Sequence, residues 1–121
     1  MRTMTILIER NERAAAARMK AGFVRAMKTG KYQGEFRSFQ SPAALFRVLT
    51  PVRWTVIEQL QALGPMSLRG LARALGRDVK SVHRDASTLI AEGLIERNAE
   101  GRLLVPFVRI RAEFDMGRRA A

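Results

Sequence analysis

The stretch SLRGLARALGRDVKSVHRDASTLIAE, from Ser67 to Glu92, constrains the rest of the chain most. Ser67 is a good N-cap, and Leu68, Leu71, Ala72 and Leu75 follow it at helical spacing. Gly76 ends that helix, because glycine enters the left-handed conformation at little steric cost. Asp78 can cap a second helix, whose Val79, Val82, Ala86, Leu89 and Ile90 fall on one apolar stripe. Opposite the stripe lie Lys80, Ser81, Arg84 and Thr88, with His83 and Ser87 on the flank. Helix, short glycine turn and helix with a polar outer face is the helix-turn-helix arrangement, whose second helix is the usual major-groove reader. The pattern implies DNA binding through the helix that starts near Asp78.

A chain of 121 residues has room for one compact domain and a small appendage. At 47% hydrophobic residues it can bury a core, so it is not a disordered basic tail. Its formal net charge of +11 favours polyanionic partners, nucleic acid first and an anionic membrane second. The charge gathers where the motif can use it. Between Leu68 and Arg84 stand Arg69, Arg73, Arg77, Lys80 and Arg84 against Asp78 alone. Cysteine is absent, which excludes disulfides and thiolate metal sites. The single histidine, His83, lacks a second His or Cys ligand, so neither a metal nor a cofactor is expected. With no histidine pair, phosphate-cradling glycine loop or carboxylate cluster, the chain is not expected to be an enzyme and no catalytic residue is nominated. No apolar run approaches a transmembrane length and no secretory leader pattern is evident, so a cytoplasmic protein without a membrane role is expected.

Thr3 to Ile8 alternates, with Met4, Ile6 and Ile8 on one face, and reads as a short strand. Asn11 can cap a helix running to about Lys28, with Ala16, Met19, Phe23 and Met27 on one side and Arg13, Arg18, Lys20, Arg25 and Lys28 on others. Its apolar face is modest and lacks tryptophan, so packing on a neighbouring strand or a second subunit is expected over membrane binding. Glu35 to Gln40 reads as a second strand. Ser41-Pro42 and Thr50-Pro51 each open a helix with a capping side chain and a proline in the first position. The first of these ends near Thr50. The second runs to about Leu63 and buries Val52, Val56, Ile57, Leu60 and Leu63, before Gly64-Pro65 stops it. After the Asp78 helix, Leu94–Arg97, a turn over Asn98–Gly101, and Arg102–Val105 read as a hairpin. A hairpin directly after the recognition helix is the wing of a winged helix. Val108, Ile110, Ala112, Phe114 and Met116 then alternate with charged residues, which predicts a strand with one buried face, paired with the N-terminal strand.

From Phe39 to Met116 the chain resembles a group of small bacterial and archaeal transcriptional regulators with a winged helix-turn-helix. The residues that carry the likeness are SPAALFRVLTPVRW, LARALGRDVKSVHRD, LIAEGLIE and the closing PFVRIRAEFDM. Of these, LGRDVKSVHRD is the specific block, a turn and recognition-helix start rather than a generic apolar pattern. Members commonly sit beside a gene for a small toxin and are regarded as its antitoxin. The resemblance therefore implies a protein that binds its own promoter and masks a toxin. The strongly basic first helix is a departure from it.

The expected fold is α+β, mainly α. Residues 41–116 form a winged helix-turn-helix DNA-binding domain with a closing strand. Residues 1–40 form an N-terminal strand–helix(–strand) extension for dimerisation or partner binding, and 117–121 a basic tail. Lys80, Ser81 and Arg84 are assigned to the groove face, since arginine or lysine suits guanine and serine is an adaptable partner. His83 is a hydrogen-bonding neighbour of the groove. Ser67, Arg69 and Arg77 are candidate phosphate contacts, and Arg97 and Arg102, flanking the hairpin turn, are placed for phosphate or the minor groove. Arg69 and Arg73 read equally well as a solvated helix face, and Arg97 and Arg102 as solubilisers of the hairpin. Asp85 is expected to pair with a nearby arginine rather than touch DNA. The expected function is sequence-specific double-stranded DNA binding by a homodimer on an inverted repeat, as an autorepressing antitoxin with a cognate toxin partner. The alternative is a protein-interaction module that neutralises a partner toxin without reading DNA. An RNA-binding role is disfavoured, because no exposed sheet carries aromatic residues for base stacking.

Overall fold

Caps and prolines set most of the element boundaries. The computed structural model describes residues 1–118, and the protein is α+β. In chain order its elements are β1 (Thr3–Ile8), α1 (Glu12–Thr29), β2 (Glu35–Phe39), α2 (Pro42–Val48), α3 (Pro51–Leu63), α4 (Leu68–Leu75), α5 (Val79–Ala91), β3 (Glu96–Arg97), β4 (Leu103–Leu104) and β5 (Arg109–Glu113). They fall into two compact units. One holds Met1–Leu45 and the chain from Arg109 on; the other is Phe46–Val108.

The first unit is a three-stranded sheet in the order β2-β1-β5, with both pairings parallel. Parallel neighbours need a crossover, and α1 supplies the one between β1 and β2. Asn11 starts α1 by accepting from the backbone N–H of Arg13 at 2.8 Å, and Gly30 ends it in the left-handed region at φ 66°. Arg2 grips Glu35 of β2 through two 2.9 Å hydrogen bonds, and the Tyr32 hydroxyl donates to the same carboxylate at 2.8 Å. Those donors, Arg2 first, hold the Glu35 carboxyl below its ordinary pKa. Met4, Ile6, Phe39 and Leu45 are the buried apolar residues here.

Two readings of this unit are corrected by the structure. The alternation after Val108 yields a strand that pairs with β1, Thr3 lying opposite Arg109, but no buried face. Ile110 is half-buried, whereas Val108, Ala112, Phe114 and Met116 are exposed. A period-two pattern says that a face could be buried, and β5 is an edge strand on which only Ile110 of that face is half-buried among the described residues. Because its hydrogen bonds go to β1, β5 belongs with the N-terminal unit rather than with a domain spanning 41–116. On α1, only Gly22 is buried, with Ala14, Ala15 and Ala26 half-buried, so its covered side is the small-residue side. The expected basic tail is described only at Gly117 and Arg118; residues 119–121 lie outside the described residues.

The second unit is a three-helix cluster of α3, α4 and α5 followed by the β3–β4 hairpin. Thr50 caps α3 and Pro51 stands in its first turn. Val56, Ile57 and Leu60 of α3, Leu71 of α4, Val82 and Leu89 of α5, and Leu94, Ile95, Leu103 and Phe107 beyond it are all buried. Each such side chain contributes about 1.5–3 kcal/mol relative to exposure. Val52 and Leu63, read as part of the buried side of α3, are instead exposed at its two ends. The hairpin is tied down by a bridge between Met66 and Leu103, with hydrogen bonds of 2.9 and 2.7 Å, so the α3–α4 connection acts as a third, one-residue strand.

Candidate nucleic-acid interface

The geometry of the second unit's outer surface follows from three local devices. Ser67 Oγ accepts from the backbone N–H of Gly70 at 3.0 Å and starts α4. Gly76 ends it at φ 63°, handing two backbone N–H groups, its own and that of Arg77, to the carbonyls of Arg73 and Ala72. Asp78 then caps α5 by accepting from the backbone N–H of Ser81 at 3.0 Å. The two helices are thereby joined over three residues with every cap satisfied.

Val82, Asp85, Ala86 and Leu89 turn the inner side of α5 into the core. Spacings of three and four therefore place Lys80, His83, Arg84 and Ser87 on one outer strip, and all four are exposed. Neither the Lys80 nor the Arg84 side chain has a hydrogen-bond or ion-pair partner among the described residues. Val79 and Ile90, at the borders of the apolar stripe, are each 37% exposed. Ser81 and Thr88 are half-buried, and both hydroxyls are occupied. Thr88 donates to the Arg84 carbonyl at 3.3 Å, and Ser81 to the Asp78 carboxylate at 3.2 Å. What Ser81 offers outward is thus an acceptor rather than a donor.

Asp85 is the buried charge of the unit. Arg53 of α3 donates to Oδ1 through Nε at 3.1 Å, and Arg77 donates to Oδ2 through Nη2 at 2.7 Å. Arg53 also donates to the Val48 carbonyl at 2.7 Å. One carboxylate therefore ties α5 to α3 and to the turn before α5. Arg77, nominated for a phosphate contact, has its guanidinium drawn inward by the buried carboxylate, with Nη1 buried and unpartnered. Sequence reasoning missed Arg53 altogether. A signal for the cluster did exist: Asp85 stands three residues after Val82 and four before Leu89, on the stripe that must be buried, and a buried acid demands a cation.

The other nominated residues remain on the surface. Arg69 and Arg73 are exposed on α4. Ser67 spends its oxygen on the cap but keeps a hydrogen to donate. Arg97 Nη1 donates to the Gly101 carbonyl at 2.9 Å, and Arg102 lies 3.9 Å from Glu100 in an exposed pair of little strength. The Asn98 side chain closes the hairpin turn by accepting from the backbone N–H groups of Glu100 and Arg102. Both arginines thus flank the tip, as their positions implied. No helix among the described residues is long and apolar enough to cross a membrane.

The family model HVO_A0114 matches residues 48–112, more than half of the chain. The chain belongs to the HVO_A0114 family. The matched segment begins at the end of α2, takes in the whole of the second unit's surface just described, and runs into β5. No curated protein and no solved structure matches the chain.

Proposed function

We propose that residues 46–108 are a winged helix that binds double-stranded DNA, with α5 in the major groove and the β3–β4 hairpin as the wing. The observation that carries this reading is the exposed, unpartnered strip of Lys80, His83 and Arg84 on a helix whose other side is locked into the core. The element order of helix, one-residue bridge at Met66, helix, glycine turn, helix and hairpin supports the winged-helix assignment. The net charge of +11 supports a polyanionic partner. In this reading Lys80 and Arg84 contact base edges, His83 and Ser87 border them, and Ser67, Arg69, Arg73, Arg97 and Arg102 contact the backbone. The protein acts as a transcriptional regulator in the cytoplasm, where the DNA is. It binds as a homodimer to an inverted repeat with half-sites about 34–36 Å apart. An autorepressing antitoxin role is supported by the family resemblance of LGRDVKSVHRD and its flanking segments alone.

Selection of bound sequences from random DNA, followed by shift titrations, tests the reading. Arg84→Ala should weaken cognate binding by about 1–3 kcal/mol and relax preference at one position. Arg69→Ala should weaken all sequences alike and flatten the salt dependence by about one unit. An Arg84→Ala protein with unchanged affinity and preference would refute the groove assignment.

A further inference from the structure

Most of the formal charge lies outside the helical unit. Residues 46–108 hold nine Arg and Lys against six Asp and Glu, a net +3, whereas 1–45 with 109–121 hold thirteen against five, a net +8. The excess gathers on α1 and the turn after it. Between Glu12 and Glu35 stand Arg13, Arg18, Lys20, Arg25, Lys28 and Lys31, and no acid. Arg18 is engaged by Glu9 at 3.4 Å. Arg13, Lys20 and Lys28 are exposed, and their side chains have no hydrogen-bond or ion-pair partner among the described residues. Gly22, the one buried residue of α1, marks the inner side of the helix. Arg13 stands nine residues before it, about two and a half turns, and so faces the opposite way. Lys20 is seven residues beyond Arg13 and Lys28 eight beyond Lys20, each about two turns on, so the three cations form one outward row about 22 Å long.

We propose that this row is a second nucleic-acid surface, seating the sheet unit on the phosphate backbone of double-stranded DNA without reading its sequence. A duplex carries one negative charge per about 1.7 Å of axis, so a row of this length meets phosphates enough for all three cations. Its other members, Ala17 and Val24, have no group to hydrogen-bond a base edge, which leaves the backbone as the partner. A single strand asks for aromatic platforms, and Phe23 is the only aromatic residue of α1. An interfacial helix sinks its apolar face about 5–10 Å into a bilayer. On α1, Met19 and Phe23 stand nearer the covered side than the cations do, so the cations reach a flat surface first. The proposal takes its polymer from the reading above and none of its residues.

Titration of the full chain against a fluorescent duplex of random sequence, repeated over a salt series, tests it. Arg13→Gln/Lys20→Gln/Lys28→Gln keeps good helix formers on α1 and should retain the circular dichroism of the wild type. It should flatten the plot of log affinity against log salt by about 2.7 units, for three phosphates lost, and weaken selected and random duplexes by one common factor. Arg25→Gln/Arg109→Gln/Arg111→Gln removes as much charge from off the row and should flatten the plot by less than about one unit. A wild-type chain that does not hold random duplex at about 50 mM salt overturns the proposal. So does an unchanged plot for the row variant, or equal flattening by the two variants. Loss of binding to phosphatidylserine vesicles by the row variant, with duplex binding intact, would assign the row to a membrane and overturn it too. A wild-type chain that binds every duplex alike, yet loses the expected slope with the row, sinks the groove assignment and upholds this one, so the two failures are separable.

Discussion

The two units of this chain use their apolar residues in opposite ways. In 46–108, eleven large aliphatic or aromatic side chains are turned inward, and the cations other than Arg53 and Arg77 are left on the outside. Among the described residues of the sheet unit, the large side chains buried are Met4, Ile6, Phe39 and Leu45, while Met19, Phe23, Met27 and Met116 face out. The contrast separates two ways of being held together. The helical unit closes its own core. The sheet unit depends on backbone ladders and the Arg2–Glu35–Tyr32 cluster, and its helix presents an unsatisfied apolar ridge. Each unit also carries its own optical probe, since the only tryptophan is Trp54 on α3 and the only tyrosine is Tyr32 beside Glu35.

That pairing of probes gives three ways to strain the contrast. The largest effect is expected from Asp85→Ala. Removing the shared acid strands Arg53 and Arg77, a loss of about 3–5 kcal/mol for a buried pair. The lower end applies here, because the two arginine side chains keep 18% and 25% of their surface exposed. In urea titrations the Trp54 transition should move well ahead of that of Tyr32; equal movement of both would mean that the two units share one stability. Gly76→Ala should cost less, about 1 kcal/mol. A Cβ at φ 63° meets no atom within 4 Å, so only the left-handed conformation is penalised. The Trp54 transition reads this as well. The smallest effect is acid sensitivity of the sheet unit. Because Glu35 titrates below its ordinary value when folded, its contribution is complete above the unfolded pKa and is lost as pH falls through the folded one. Tyr32 should therefore report weakening on acidification that Glu35→Gln lacks.

Much of this architecture is written locally. Ser67, Gly76 and Asp78 act on backbone groups within three or four residues, so the two helices and their turn can be read from the stretch itself. Thr50-Pro51 marks α3 for the same reason. The outward position of Lys80 and Arg84 follows from the stripe opposite them. Arg77 shows where such reasoning ends. Whether it faces solvent or core depends on Asp85, eight residues on, and on Arg53, which reaches the same carboxylate from another helix. The β5 alternation misleads for a related reason. Pattern specifies which residues share a face, and only the rest of the fold decides whether anything lies against it.

The pairing of Thr3 with Arg109 has a consequence for how the chain matures. A ribosome delivers β1 early, yet its β5 neighbour emerges only after every residue of the helical unit. The interior of 46–108 is complete in sequence before that moment and can condense as the peptide lengthens. The sheet must wait, with one flank of its central ribbon bare, until β5 has been made. Pulse-labelling exchange during refolding should accordingly protect amides of α3 and α5 before those of β5. The reverse order would show that β1 and β5 find each other first.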